Sequence, residues 1–211
     1  MKVLNSPLLD ELANQFQKMG WLVIPRALLF SSQDSAQTAL KSLRDAIRQR
    51  PLVNDQPGCE RYHLDESVFL DLLAPWLHGD PFQKLCRQVF HDEYVFVKYL
   101  RLRNPVHGQG DQSFHSDWYT DSPGERMEVF VALDDVTLEN GPLEILTPDN
   151  SQPVTVTWEA GSMVVIDSVL PHRGTTNRDG SPRQVVSAHV GVHQREDEQP
   201  LAFIPQLAGT T

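Results

Sequence analysis

His115 and Asp117 stand two residues apart in Ser113-Phe114-His115-Ser116-Asp117-Trp118, an imidazole and a carboxylate with one small residue between them. In an extended segment, residues i and i+2 point to the same face. Both side chains can therefore reach one metal ion from the edge of a strand. A third ligand must come from elsewhere, and His172, 57 residues later, is the best candidate. Two histidines and one carboxylate on one side of an ion, with the other positions open, suit a non-haem Fe(II) centre that activates oxygen. Alone, His-x-Asp is a weak signal, and its meaning depends on the elements that carry it.

Those elements read as strands. Tyr94 to Arg103 alternates and is rich in β-formers, with Val95, Val97, Tyr99, Arg101 and Arg103 on one face and Phe96, Lys98, Leu100 and Leu102 on the other. Its cationic end suits an anion-binding pocket and equally a half-exposed edge. Arg126 to Leu133, Leu143 to Leu146, Val154 to Trp158, Ser162 to Asp167 and Gln184 to Val192 read as further strands. Asp134 to Pro142 is a turn-rich connection containing Asn-Gly, a hairpin signal.

Upstream the period changes. Leu8, Leu9, Leu12, Phe16 and Met19 recur at helical spacing, which predicts a helix from Ser6 to Met19 stopped by Gly20. Trp21 to Ile24 is a short strand ended by Pro25. A second helix is expected over Ser32 to Arg48, a loop over Pro51 to Tyr62, and shorter helices over Val68 to Leu73 and Pro81 to Phe90. Trp76 and Phe82 read as core. Helices first and short strands afterwards predict one helical layer on an antiparallel β-structure.

The length of 211 residues fits one domain, with the helical layer over residues 1–92 and the β core over 93–195. A net charge of -10 argues against a nucleic-acid surface, which needs clustered Lys and Arg. Two cysteines, Cys59 and Cys86, read as reduced thiols. No basic start leads into an apolar run, and no stretch nears the length needed to cross a bilayer. A cytoplasmic protein with no membrane or nucleic-acid partner is expected. The oligomeric state is left open.

From the N-terminal helix to Arg183 the sequence resembles the phytanoyl-CoA dioxygenase-like family of Fe(II)/2-oxoglutarate oxygenases. The resemblance rests on Gly20-Trp21-Leu22-Val23-Ile24-Pro25, on Phe114 to Trp118, on Ala132 to Leu143 with its Asn140-Gly141-Pro142 turn, and on Gly161 to Asp167 leading to His172 and Arg183. It implies an α+β, mainly β fold: a double-stranded β-helix, or jelly roll, flanked by N-terminal helices. It carries the metal ligands onto His115, Asp117 and His172. The 2-oxoglutarate-binding Arg falls on Arg183, eleven residues past the distal histidine. Fe(II), 2-oxoglutarate as co-substrate and O2 are the implied cofactors, with succinate and CO2 released as a C–H bond of a small molecule is hydroxylated or otherwise oxidised. An Arg fork suits the far carboxylate of the co-substrate better than a Lys point charge.

Ser187 shares a strand face with Arg183 and is a candidate to add a hydroxyl there; Gln112 and Tyr99 are candidates for further co-substrate contact. His189 has the same parity, and reads as a hydrogen-bonded core histidine before a fourth ligand. Arg101, His107 and Trp118 are candidate substrate contacts. Arg173 and Arg178 read as solvated loop charges, and Asp134-Asp135 as a turn. Many relatives carry a small hydroxyl residue two positions after the distal histidine. Here that is Gly174, with Thr175 or Thr176 as possible substitutes. In the halogenating branch of the family a small residue replaces the carboxylate, and Asp117 fills that place. Two rival readings are a non-catalytic jelly-roll sensor and a cupin-like metalloenzyme that uses no 2-oxo acid.

Overall fold

The computed structural model describes residues 6–49, 53–56, 59–63, 66–90, 95–105, 107–117, 126–147, 152–191 and 202–204. Side chains at some of these positions, Tyr99 and Arg101 among them, lie outside the description, as does the whole of Trp118.

α1 (Ser6–Met19) ends where Gly20 turns at φ 73°, and β1 (Trp21–Ile24) follows directly. After a single short turn, α2 (Arg26–Leu29), comes α3 (Gln33–Ile47). Ser32 starts α3: its hydroxyl accepts from Ser35 N while Ser35 reaches back to Ser32 N, a reciprocal cap. Ala36, Leu40, Leu43 and Ile47 line its buried face. The expected loop over 51–62 instead holds a hairpin, β2 (Val53–Gln56) and β3 (Cys59–His63). α4 (Glu66–Leu77) runs through Pro75, past the end expected at Leu73, and α5 (Asp80–Phe90) follows.

Eight further strands are described: β4 (Val95–Pro105), β5 (Arg126–Ala132), β6 (Leu143–Ile145), β7 (Val154–Val156), β8 (Met163–Asp167), β9 (His172–Gly174), β10 (Val185–Gly191) and β11 (Ala202–Ile204). The larger sheet runs β1-β8-β5-β10-β4-β3-β2, with β11 on β4; the smaller is β7-β6-β9. Every pairing between these strands is antiparallel. β5, β6, β8, β9 and β10 thus alternate between two facing sheets, the double-stranded β-helix that the sequence resemblance implied.

Two apolar layers hold it together. Met127, Val129 and Val131 of β5, with Val186, Ala188 and Val190 of β10, face α1, α3, α4 and α5. Phe130 and Ala132 of β5, with Val164, Ile166 and Val185, face Leu143, Ile145 and Val156 of the smaller sheet. Trp76 belongs to the first layer. It is fully buried, lies edge-on to Phe30 at 5.1 Å, and donates its indole N–H to Gly161 O at 2.8 Å.

The face reading of β4 fails at one point. Leu100 pairs with Ala188 and Lys98 with His189, so Tyr99 is an extra residue in the ladder. The bulge reverses parity. Val97 and Leu102 share the helix-side core, while Arg103 turns to the inner face.

The Asn-Gly signal is also used differently from a hairpin. β5 and β6 belong to different sheets, and the segment between them is a crossover. Asn140 ties it down: Nδ2 donates to Asp135 O at 2.8 Å and Oδ1 accepts from Thr137 N at 2.8 Å. Gly141 sits at φ 90°, and a Cβ there would meet Thr175 O at 2.8 Å. Gly141→Ala should therefore cost about 2–3 kcal/mol from left-handed backbone and the backbone clash together. Thermal unfolding should show a fall of roughly 4–10 °C.

Candidate metal centre

The backbone brings His115 and His172 together. His115 N donates to His172 O at 3.0 Å, and His172 N to His115 O at 2.9 Å. They are directly opposed residues of an antiparallel bridge that extends the smaller sheet beyond β9. Opposed side chains on one face lie close, and the two ring centroids are 4.7 Å apart.

Each ring is oriented by its own chain. His115 Nδ1 lies 3.0 Å from Ser113 O, and His172 Nδ1 3.0 Å from Leu170 O. A carbonyl only accepts, so each Nδ1 carries the hydrogen and each Nε2 presents its lone pair. Asp117 completes the group: Oδ2 is 3.3 Å from His172 Nε2 and Oδ1 is 3.9 Å from His115 Nε2. One ligand atom from each of the three lies within 4.8 Å of the others. His172 Nε2 and Asp117 Oδ2 are buried and have no hydrogen-bond partner among the described residues. Two acceptors turned toward each other in a buried place repel unless a cation lies between them. This N,N,O donor set fits a first-row divalent ion such as Fe(II).

Burial alone would push the Asp117 carboxyl up, but the positive charge facing it, from the His172 ring when its Nε2 is protonated and from Arg103 and His189, outweighs burial and holds it well below the usual carboxylate range. The segment carrying it is pinned on both sides. Ser116 Oγ donates to Val169 O at 2.9 Å. Arg173 donates from Nε to Glu144 Oε2 at 2.8 Å, lies 3.4 Å from Asp111 Oδ2, and covers the Phe114 ring at 4.5 Å. Arg173 is therefore no solvated loop charge; it rivets the His115 segment to β6 and β9.

Arg183 is buried just ahead of β10, and its backbone N–H donates to Asn104 Oδ1 at 3.4 Å. It meets Gln112 at Gly174. Gln112 Oε1 accepts the Gly174 N–H at 2.9 Å, and a Cβ on Gly174 would lie 3.0 Å from Gln112 Oε1 and 3.5 Å from Arg183 Nη2. The absent side chain at 174 makes room for Gln112. The suggested hydroxyl substitutes are engaged elsewhere. Thr175 Oγ1 donates to Pro142 O at 2.8 Å, and Thr176 Oγ1 to Asp111 Oδ1 at 2.7 Å. Ser187 is buried on the inner face opposite Phe130, whose ring lies 6.2 Å from His172. His107 sits on an exposed loop, its ring against Gly180. Arg101 pairs through its backbone with Ser187. Asp134 and Asp135 accept backbone N–H groups from Gln184 and Ala160, as turn residues do.

Sequence reasoning missed Glu128. It is fully buried on β5, with Oε1 3.2 Å from Arg103 Nη2 and 3.8 Å from His189 Nε2, and Oε2 3.5 Å from His172 Nε2. The signal was present: a lone acidic residue in Arg126-Met127-Glu128-Val129-Phe130-Val131-Ala132, a strand buried at every position. His189 accordingly faces this group and not only core.

A family model described as phytanoyl-CoA dioxygenase (PhyH) matches residues 16–148. That span contains His115, Asp117 and the Asn140-Gly141-Pro142 turn; His172 and Arg183 lie beyond it and are joined to the group by the fold. Among solved structures, the α-ketoglutarate-dependent non-haem epimerase SnoN of nogalamycin biosynthesis is 16% identical, with 98% of each chain covered and a TM-score of 0.70. HygX from Streptomyces hygroscopicus, solved with nickel, 2-oxoglutarate and hygromycin B, is 15% identical over 86% of each chain, with a TM-score of 0.64. AviO1 from Streptomyces viridochromogenes Tue57 is 20% identical over 87% of this chain and 94% of that one, also at 0.64. No curated protein sequence matches the chain. At such identities the solved structures establish the fold. The family model, covering more than half of the sequence and reaching through the His-x-Asp segment, establishes kinship: the chain belongs to the phytanoyl-CoA dioxygenase family, whose members work with Fe(II), 2-oxoglutarate and O2.

Proposed function

We propose that this protein is a 2-oxoglutarate-dependent dioxygenase that hydroxylates, or otherwise oxidises, a C–H bond of a small molecule in the cytoplasm. The observation that carries the reading is the convergence of His115 Nε2, Asp117 and His172 Nε2, both rings locked by carbonyls with their lone pairs turned inward. These three residues would hold Fe(II) on one side and leave the other side open. Bound there with 2-oxoglutarate and O2, Fe(II) supplies an oxidant for an unactivated C–H bond, with succinate and CO2 as by-products. Arg183 would hold the far carboxylate of the co-substrate, with Gln112 packed beside it. The inner layer around Phe130, Leu143, Ile145 and Val185 keeps water from that tether. Asp117 occupies the position that a halogenating site leaves for halide, which favours transfer of oxygen. The similar solved structures include an epimerase, a carbocyclase and a protein solved with hygromycin B bound, so the outcome beyond C–H oxidation follows from how the substrate is seated.

The test is anaerobic addition of Fe(II) and then 2-oxoglutarate to the metal-free protein. A weak visible charge-transfer band should appear only when both are present and vanish in His115→Ala. A small-molecule panel should then be screened by succinate release. A folded protein with stoichiometric iron and no band would mean that 2-oxoglutarate does not chelate, and the sensor or cupin-like reading would replace this one.

A further inference from the structure

We propose that Glu128 is a fourth, displaceable ligand of the metal ion. The inference rests on the reading of His115, Asp117 and His172 as ligands. Ligand atoms bound side by side to an octahedral ion at about 2.1 Å lie about 3 Å apart. Glu128 Oε2 is 3.5 Å from His172 Nε2, close to the 3.3 Å that separates Asp117 Oδ2 from the same nitrogen and shorter than the 3.9 Å between His115 and Asp117. Oε2 is buried and has no hydrogen-bond partner among the described residues, on a residue with no exposure at all. The other oxygen is held from behind by Arg103 Nη2 at 3.2 Å. A carboxylate held at one oxygen, with the other beside His172 Nε2, can swing onto the ion from just outside the His115–Asp117–His172 group, whose own ligand atoms all lie within 4.8 Å of one another.

The consequence follows from counting positions. The triad takes three of about six, a chelating 2-oxo acid two, and O2 one. Glu128 makes one claimant too many. It binds the ion when the co-substrate is absent and yields when 2-oxoglutarate arrives. Glu128 thereby retains the metal between turnovers and blocks a position that would otherwise be open to O2.

The test uses Co(II) alone and then Co(II) with 2-oxoglutarate, on the whole protein and on Glu128→Gln. A residue that merely orients His172 would also weaken metal binding when lost, by about 10–100-fold. Affinity alone is therefore insufficient, and the coupling between metal and co-substrate decides. Without 2-oxoglutarate, Glu128→Gln should bind Co(II) about 10-fold more weakly than wild type. Saturating 2-oxoglutarate should close that gap. By reciprocity, 2-oxoglutarate should bind Co(II)-loaded Glu128→Gln more tightly than wild type by the same factor of about 10. Glu128→Asp keeps the charge beside Arg103 but withdraws the oxygen by one methylene. It should behave alike, and it carries the test if Glu128→Gln does not fold. No gap, or a gap that persists at saturating 2-oxoglutarate, overturns the proposal. Two Co(II) ions per chain overturn it as well, in favour of a second ion on Asp117, Glu128 and His189, whose ligand atoms also lie within 4.8 Å of one another. Unchanged Co(II) binding in His115→Ala would instead sink the underlying ligand reading.

Discussion

Replacing His172 by alanine should lower Fe(II) affinity by about three orders of magnitude and take succinate release below detection, because an ion that loses a direct ligand loses more than the 10–100-fold typical of a supporting residue. His172 is 1% exposed and carries the shortest contact in the group, 3.3 Å to Asp117. Its loss removes a nitrogen donor and leaves Asp117 facing an empty volume. Competition with a chromophoric chelator measures the affinity, and coupled succinate detection the turnover. Melting separates this result from simple unfolding. Metal at 100 times its dissociation constant should stabilise the wild-type protein by about 2.7 kcal/mol, a rise of roughly 5–10 °C. The alanine variant should melt near the metal-free wild type and show no such rise. A variant that still gains stability from Fe(II) would remove His172 from the ligand set.

Arg183→Ala should raise the KM for 2-oxoglutarate by about 10²–10⁴-fold, since two charged hydrogen bonds at about 1.5–3 kcal/mol each would be lost. Arg183→Lys keeps a cation but not the fork and should fall between, at roughly 10-fold. The discriminating result is the pattern. Fe(II) affinity without co-substrate should be unchanged in both variants, because Arg183 is proposed to hold the far carboxylate of 2-oxoglutarate and not the ion. If Arg183→Ala left the KM alone, the co-substrate would have to be held elsewhere, and the cupin-like reading would gain.

The His115–Asp117 pair was legible because its chemistry is local: one residue separates the two, and an extended chain does the rest; His172, 57 residues on, was reached through the family resemblance. α1, β1, β5, β8 and β10 were legible for a similar reason, since each has an apolar periodicity of its own. The hairpin β2–β3 was not. Val53-Asn54-Asp55-Gln56 and Cys59-Glu60-Arg61-Tyr62-His63 have no such pattern, and their order comes from the ladder on β4, from Cys59 opposite Pro105 to His63 opposite Arg101. β9 has only three residues, and what makes it a strand is its pairing with β6. The helix expected over Val68 to Leu73 proved longer: α4 continues through Pro75, with Trp76 and Leu77 buried beyond. Glu128 escaped because a charged residue in an apolar run invites a surface assignment. Its burial depends on Arg103, 25 residues away, and on a bulge at Tyr99 that turns Arg103 inward.

The paired backbones of His115 and His172 carry one more implication. The two residues are 57 positions apart, and the His115 segment lies on the edge of β9, held there by their bridge, by the Gln112 amide on Gly174 O at 3.0 Å and by Arg173. An ion gripping both rings would be a removable cross-link across a long excursion of chain, in parallel with these peptide hydrogen bonds. The amides of His115 and His172 should then report occupancy: their exchange with solvent deuterium should slow when the ion is seated and quicken when it leaves. The amides of β5 and β10, deep in the larger sheet, keep the slow clock of global unfolding throughout. The molecule is in this sense two mechanical bodies in one fold, a permanent frame and a clasp that the metal fastens.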